Sequence, residues 1–192
     1  NASSNRTTDQ ATKDSVYDAM LLLGLPVQLG VLGLFLYQVS TEEHSALQLI
    51  GMTSSAGIVC GVIGINIAHE LGHRSNKFEQ IVAQCLLLST QYAHFFVEHN
   101  HGHHRYVATP LDPATARKGQ SLYAFWIQSL WGSYRSAWKI QVNLLNKKGR
   151  RFLSATNNML MYLFIQLMLI VGIGSALSWF SALLYCLASF IG

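Results

Sequence analysis

His69-Glu70-Leu71-Gly72-His73 opens, and Glu98-His99-Asn100-His101-Gly102-His103-His104 closes, the stretch on which the reading of this chain turns. Seven of the eight histidines lie between its two ends, and the eighth, His44, stands well upstream. On a helix, residues four apart leave one face, so His69 and His73 present two imidazoles side by side. His99 and His103 repeat that spacing, His104 follows one step round the helix, and His101 points roughly the other way. A lone HExxH string arises by chance or marks a zinc protease. Two helical clusters carrying five compatible imidazoles, on His69, His73, His99, His103 and His104, point instead to a larger metal site. Such donors suit iron, zinc, copper or nickel rather than calcium or magnesium. Five of them exceed what one tetrahedral zinc accepts, which favours a dinuclear centre.

The residues between the clusters decide how the chain folds. Phe78 to Val97 is apolar enough to pass for a membrane crossing. A straight crossing would carry the second cluster about 30 Å from the first, because each helical residue advances about 1.5 Å. One metal site cannot use both clusters across that gap. Gln84, Ser89, Thr90, Gln91 and His94 also make the segment too polar for a lipid-facing span. The expectation is two short helices, bent near Ser89-Thr90 and packed against the bundle.

Outward from that stretch the chain reads as a membrane protein. It has 192 residues, 51% hydrophobic and 11% charged, where soluble domains carry about 25% charge. Its mean hydropathy is +0.27. Val16 to Val39, containing Pro26, is long enough for one crossing, and Ala46 to Ala68 makes a second that delivers the first cluster to the membrane surface. Gly57, Gly61 and Gly64 on that second crossing allow close helix packing. His44 falls in the loop between the two. Asp112, in the proline-containing loop from Arg105 to Gln120, either caps a turn or braces a ligand histidine. Leu122 to Leu145 is amphipathic, with Trp126, Ile127, Leu130, Trp131, Tyr134 and Trp138 on one face, as suits either the membrane interface or an aromatic core. Leu153 to Ile170 is the next crossing, Gly172-Ile173-Gly174 a turn, and Ala176 to Ile191 a return. The fold class is therefore all-α and integral to the membrane: a bundle of about four transmembrane helices, with short membrane-surface helices carrying the histidine clusters.

Cys60, Cys85 and Cys186 sit in apolar surroundings and read as small buried hydrophobes, not a disulfide frame. The net charge of +4 comes mostly from the second half, ending in Lys147, Lys148, Arg150 and Arg151. Beside apolar spans, such a run marks the cytoplasmic face rather than a nucleic-acid site. Residues 1–15, with two Asn-x-Ser/Thr sequons and little apolar content, are expected to be disordered or peripheral, and 16–192 to form a single domain. The chain starts at Asn1 and ends within an apolar run, so it is expected to be an internal fragment, incomplete at both ends.

The two histidine strings resemble the first and second histidine boxes of the membrane-bound alkane monooxygenases. Val107-Ala108-Thr109-Pro110-Leu111-Asp112-Pro113-Ala114-Thr115-Ala116 and Gly132-Ser133-Tyr134-Arg135-Ser136-Ala137-Trp138 are similar to segments that follow the second box in that family. The resemblance implies terminal hydroxylation of medium-chain n-alkanes, with dioxygen as co-substrate at two non-haem iron ions. It implies electrons from rubredoxin, itself reduced by rubredoxin reductase, and a place in the lipid bilayer of a bacterial inner membrane with the boxes on the cytoplasmic side. Carried over by position, His69, His73, His99, His103 and His104 are iron ligands with Glu98 behind them, where the loop residue Asp112 is also expected. The role of Glu70 stays open.

The family's third histidine box and its Asn-Tyr-x-Glu-His-Tyr-Gly motif have no counterpart in this sequence and are expected beyond Gly192; the fragment alone is therefore expected to be inactive. Three other readings compete. A membrane-embedded zinc protease would use Glu70 as general base and Asp112 as third ligand, but leaves His99, His103 and His104 unexplained. A fatty-acid desaturase or hydroxylase shares the histidine-box idea. A non-enzymatic haem or metal transporter would place its histidines along a path, not at helix ends beside charged loops.

Overall fold

Two long apolar helices set the frame. The computed structural model describes residues 15–192 and has no strand among them. Apart from Ser15, the N-terminal segment expected to be peripheral lies outside the described residues. Helix α1 runs Ser15–Thr41 with Pro26 inside it, and α2 runs Ala46–Gly72 with a π-helical stretch at Cys60–Ile65. Ser45 starts α2 with a capping box, its hydroxyl and the Gln48 side chain each meeting the other's backbone N–H. His44 lies in the connecting loop as expected, its Nε2 3.1 Å from the Gln38 carbonyl. The two helices are antiparallel, so α2 delivers His69 and His73 to the end where α1 begins. Arg74 fixes that end by donating to Asp18 of α1 at 2.6 Å and to Glu79 at 3.1 Å.

The segment between the boxes bends back as expected. Asn76 caps helix α3, Lys77–Ser89, by accepting from the Phe78 N–H. The chain breaks over 90–93 and resumes as α4, His94–Glu98. The reversal uses a left-handed residue, Gln91 at φ 57. Tyr185 straddles it: its hydroxyl donates to the Ser89 carbonyl at 2.9 Å and accepts from Gln91 Nε2 at 3.0 Å. A Cβ on Gly64 would stand 2.5 Å from the Thr90 side chain and 3.3 Å from Gln28 Nε2. The break thus lies level with Gly64, eight residues or about 12 Å down α2 from Gly72. α3 descends to that depth and α4 climbs back.

Helix α5, Leu122–Lys147, capped by Ser121, closes over α4. Its aromatic stripe divides. Trp126, Ile127 and Trp131 are exposed, while Tyr134 and Trp138 pack on the central core with Leu71, Ala83, Leu86, Leu87, Val97 and Ala137. The core reading holds for the second half of the helix, and the exposed first half lines a groove.

Two boundaries differ from expectation. The next helix, α6, is Asn158–Ala176 and starts later than Leu153. Asn157 sets the start: its side-chain oxygen accepts from the N–H groups of Met159 and Leu160, and its amide donates to the Phe152 carbonyl. The turn then falls at Leu177–Ser178, past Gly172-Ile173-Gly174, and α7 is Trp179–Ile191 with Ser178 as its cap. Gly174 stays helical and serves close approach, because a Cβ there would meet the Trp179 ring at 2.5 Å. Helices α1, α2 and α6 are long and apolar enough to span a membrane, and α7 is apolar but shorter. Gly57 brings α7 against α2: a Cβ there would stand 2.8 Å from the Ala188 carbonyl. Cys60, Cys85 and Cys186 are all free thiols. Val27, Leu29, Leu34, Ile50, Ile58, Phe164 and Leu167 face outward, as helices embedded in lipid require.

Candidate metal centre

The two boxes meet. His69, His73, His99 and His104 each offer a ring nitrogen, and these four atoms lie within 4.8 Å of one another. Nε2 of His73 is 3.1 Å from Nε2 of His99 and 3.3 Å from Nε2 of His104, while the last two are 3.0 Å apart. Three such nitrogens in mutual contact cannot all be satisfied by hydrogen bonds, since each N–H points at one acceptor and one lone pair must face another. A shared cation removes that conflict. Nitrogens held about 2.0–2.1 Å from one ion stand about 3.0 Å apart at a right angle and about 3.4 Å apart at the tetrahedral angle. The observed separations match, so this donor set fits a first-row transition metal.

The choice of His104 over His103 has a local cause. The second box is a π-helical turn, His99–His103, in which the N–H of His104 donates to the carbonyl of His99. Bonding five residues back turns His104 onto the same side as His99. His103 meanwhile stacks on His99, with ring centroids 5.2 Å apart, and Phe95 stacks on the other side at 4.6 Å. The Nδ1–H of His103 donates to Asp112 Oδ2 at 2.9 Å. That bond fixes the ring and leaves Nε2 free of it, an arrangement also found behind metal-bound histidines.

Asp112 also performs the other role foreseen for it. Its Oδ1 accepts from the Ala114 N–H at 2.9 Å, and its Oδ2 accepts from the Thr115 hydroxyl. With its side chain buried and both oxygens engaged, it lies outside the imidazole cluster and does not supply the third ligand of a protease-like zinc. Glu98 is 2% exposed, and its Oε1 has no partner. Burial first, then the nearby Asp112 carboxylate, pushes its carboxyl above the ordinary range, with His103 and Ser136 opposing. Glu70 sits on the outer side, 3.8 Å from Arg74. His101 is exposed and takes no part in the cluster.

The environment favours the neutral form of His73 and His99. His99 is pushed down to about 3, by desolvation first and then by its four histidine neighbours. His73 is lowered for the same reasons, against a weaker upward pull from Glu70. Neutral imidazole is the form that ligates metals.

Sequence reading overlooked two residues. Phe95 stacks on His99 and also lines a groove of ≈ 990 Å³ among α4, α5 and α7, with Ile65, Trp126, Trp131 and Phe190. His94 was read only as a polar residue unfit for a lipid-facing span. It lies in the wall of that groove, between the rings of Tyr92 and Tyr134. The i, i+4 spacing of Phe95 and His99 signals their stack, but no spacing signals the groove, which is made by helices remote in sequence.

Comparison with known proteins agrees with this geometry. The family model described as fatty acid desaturase matches residues 45–192. Alkane 1-monooxygenase 1 of Alcanivorax borkumensis is 36% identical over 77% of this chain and 36% of its own length. Alkane 1-monooxygenase of Ectopseudomonas oleovorans is 37% identical over 82% of this chain and 39% of its own. Alkane 1-monooxygenase 1 of Pseudomonas aeruginosa is 34% identical over 96% of this chain and 48% of its own. The chain thus spans less than half the length of each of these relatives.

Proposed function

The chain belongs to the fatty acid desaturase family of histidine-box membrane proteins, and on that premise we propose that it is part of an alkane 1-monooxygenase. The reaction is terminal hydroxylation of a medium-chain n-alkane to the 1-alkanol. The observation that carries this reading is the convergence of His69, His73, His99 and His104 from both boxes on one point beside an apolar groove. These four residues and Nε2 of His103 would supply part of the ligand set of two non-haem irons. When bound, iron supplies the chemistry no side chain can: with dioxygen, two electrons and two protons, one oxygen atom enters a C–H bond and the other leaves as water.

The chain's own residues do the rest. Asp112 holds the His103 ring by its Nδ1–H, and the stack of Phe95, His99 and His103 keeps the ligands from rotating. The groove receives the hydrocarbon by excluding water, with Phe95 carrying its wall to the ring of His99. Rubredoxin, reduced by its reductase, is the proposed electron donor. The exposed Arg117, Lys118, Arg135 and Lys139, which line a second groove beside Asp112, offer a surface for a donor of opposite charge. By charge, the boxes lie on the cytoplasmic side of a bacterial inner membrane.

The test is expression of the protein with rubredoxin and rubredoxin reductase in a host lacking alkane hydroxylase, followed by iron analysis and supply of octane and oxygen. From these 192 residues alone neither 1-octanol nor a complete pair of irons is expected. Placed in the matching segment of an active alkane 1-monooxygenase, they are expected to give oxygen-dependent 1-octanol and two irons per chain, both lost in His99→Ala. One zinc per chain without octanol would overturn the reading.

A further inference from the structure

His94 is the one histidine between the boxes that neither joins the imidazole cluster nor belongs to the box strings. It opens α4, one residue before Phe95. Its ring is held edge-on by Tyr92 at 4.5 Å and by Tyr134 at 5.3 Å, and part of it faces the apolar groove. Its Nε2 is sealed from solvent and has no hydrogen-bond partner. A buried polar nitrogen without a partner is unfavourable, and such atoms are rare unless something outside the fold satisfies them.

The geometry points to His94 as the residue that holds the hydroxyl of a long-chain primary alcohol in this groove, so that the alcohol binds more tightly than the hydrocarbon of equal length. The inference rests on the reading above that the groove takes a hydrocarbon chain. An alkane has no group for Nε2, and its binding is indifferent to His94. An alcohol brings one donor and acceptor, which pairs with the nitrogen in either tautomer. The ring lines the groove, and because the χ2 torsion of histidine is broad, binding of the hydroxyl is the event that turns Nε2 toward it. Burial lowers this imidazole to about 4, so it is neutral at physiological pH and retains both hydrogen-bonding forms. His94 thereby acts on the product and not on the substrate of the proposed reaction: it slows release of the alcohol without aiding capture of the alkane.

Trp126 and Trp131 line the groove, so their fluorescence reports occupancy. The protein, purified in neutral detergent, is titrated with 1-bromodecane as quencher, and decane and 1-decanol are then used to displace it. His94→Phe keeps an aromatic ring without a polar atom, and comparing each competitor between wild type and variant cancels partition into detergent. Relative to His94→Phe, 1-decanol is expected to compete roughly two- to tenfold better in the wild type, the worth of one hydrogen bond, while decane competes equally in both. His94→Gln, which keeps a donor and an acceptor, is expected to restore part of the preference. If the Phe variant does not fold, His94→Leu compared with His94→Gln makes the same distinction. Equal alcohol competition with and without the polar side chain overturns the role of His94 and leaves the groove reading intact. Failure of all three compounds to bind overturns both.

Discussion

At the scale of single residues, Asp112 is the most informative side chain, because one carboxylate shapes a turn and holds the His103 ring at once. Asp112→Asn keeps the size and the turn bond to Ala114 but weakens the charged partner of His103. Metal affinity is expected to fall about 10- to 100-fold with little change in melting temperature, read by titration with ferrous iron. Unchanged affinity would show that His103 needs no brace. The buried imidazoles also predict a pH dependence. His94 is pushed down to about 4 and His99 to about 3, against an ordinary value of 6.5. Between the folded and unfolded values the unfolded chain binds more protons, so stability is complete above about pH 6.5 and falls as pH drops toward 3. For His94 alone the loss between pH 7.5 and pH 5 is about 2 kcal/mol. Melting of the metal-free chain should show it, and His94→Phe should show less of it.

At the scale of elements, the site depends on a helix that turns back halfway. Gly64 on α2 sets how closely the break between α3 and α4 approaches, since a Cβ there would overlap the Thr90 side chain. Gly64→Ala is expected to destabilise by roughly 1–3 kcal/mol. Thr90→Ala removes the methyl that clashes, so the double variant should lose less than the sum of the two single changes. Additive losses in a thermal double-mutant cycle would mean that this contact does not set the depth of the break. The π-helical turn His99–His103 is the second such device: it converts a spacing of five, poor on an α-helix, into a shared face.

At the scale of the whole molecule, the direction of each helix places the boxes on one side. The loop at Glu42–Ser45 lies at the far end of α1 and α2, while Arg74 binds Asp18 at the near end. Single cysteines at Ser75 and Lys118, in a chain with Cys60, Cys85 and Cys186 replaced, should be labelled by an impermeant maleimide from one side of a vesicle. A cysteine at Glu43 should be labelled from the other. Opposite labelling of Ser75 and Lys118 would be incompatible with a site built from both boxes.

The sequence by itself determined the class of fold, since low charge and long apolar runs admit few structures in lipid other than helices. It also pointed to a metal site, because imidazoles at helical spacing have few other uses, and it required the return at Ser89-Thr90, because both boxes must reach one site. Capping side chains such as Asn157 and Ser178 were legible in principle, but in an apolar run a glycine pair resembles a turn more than an asparagine resembles a start. Which imidazoles converge was decided only by tertiary structure. An α-helical reading pairs His99 with His103, whereas packing beside Asp112 and a π-helical turn pair His99 with His104. The stack of Phe95 on His99 follows their i, i+4 spacing, whereas the groove and the position of His94 depend on α4, α5 and α7 coming together. No local spacing encodes that approach, because it is set by how remote apolar faces pack.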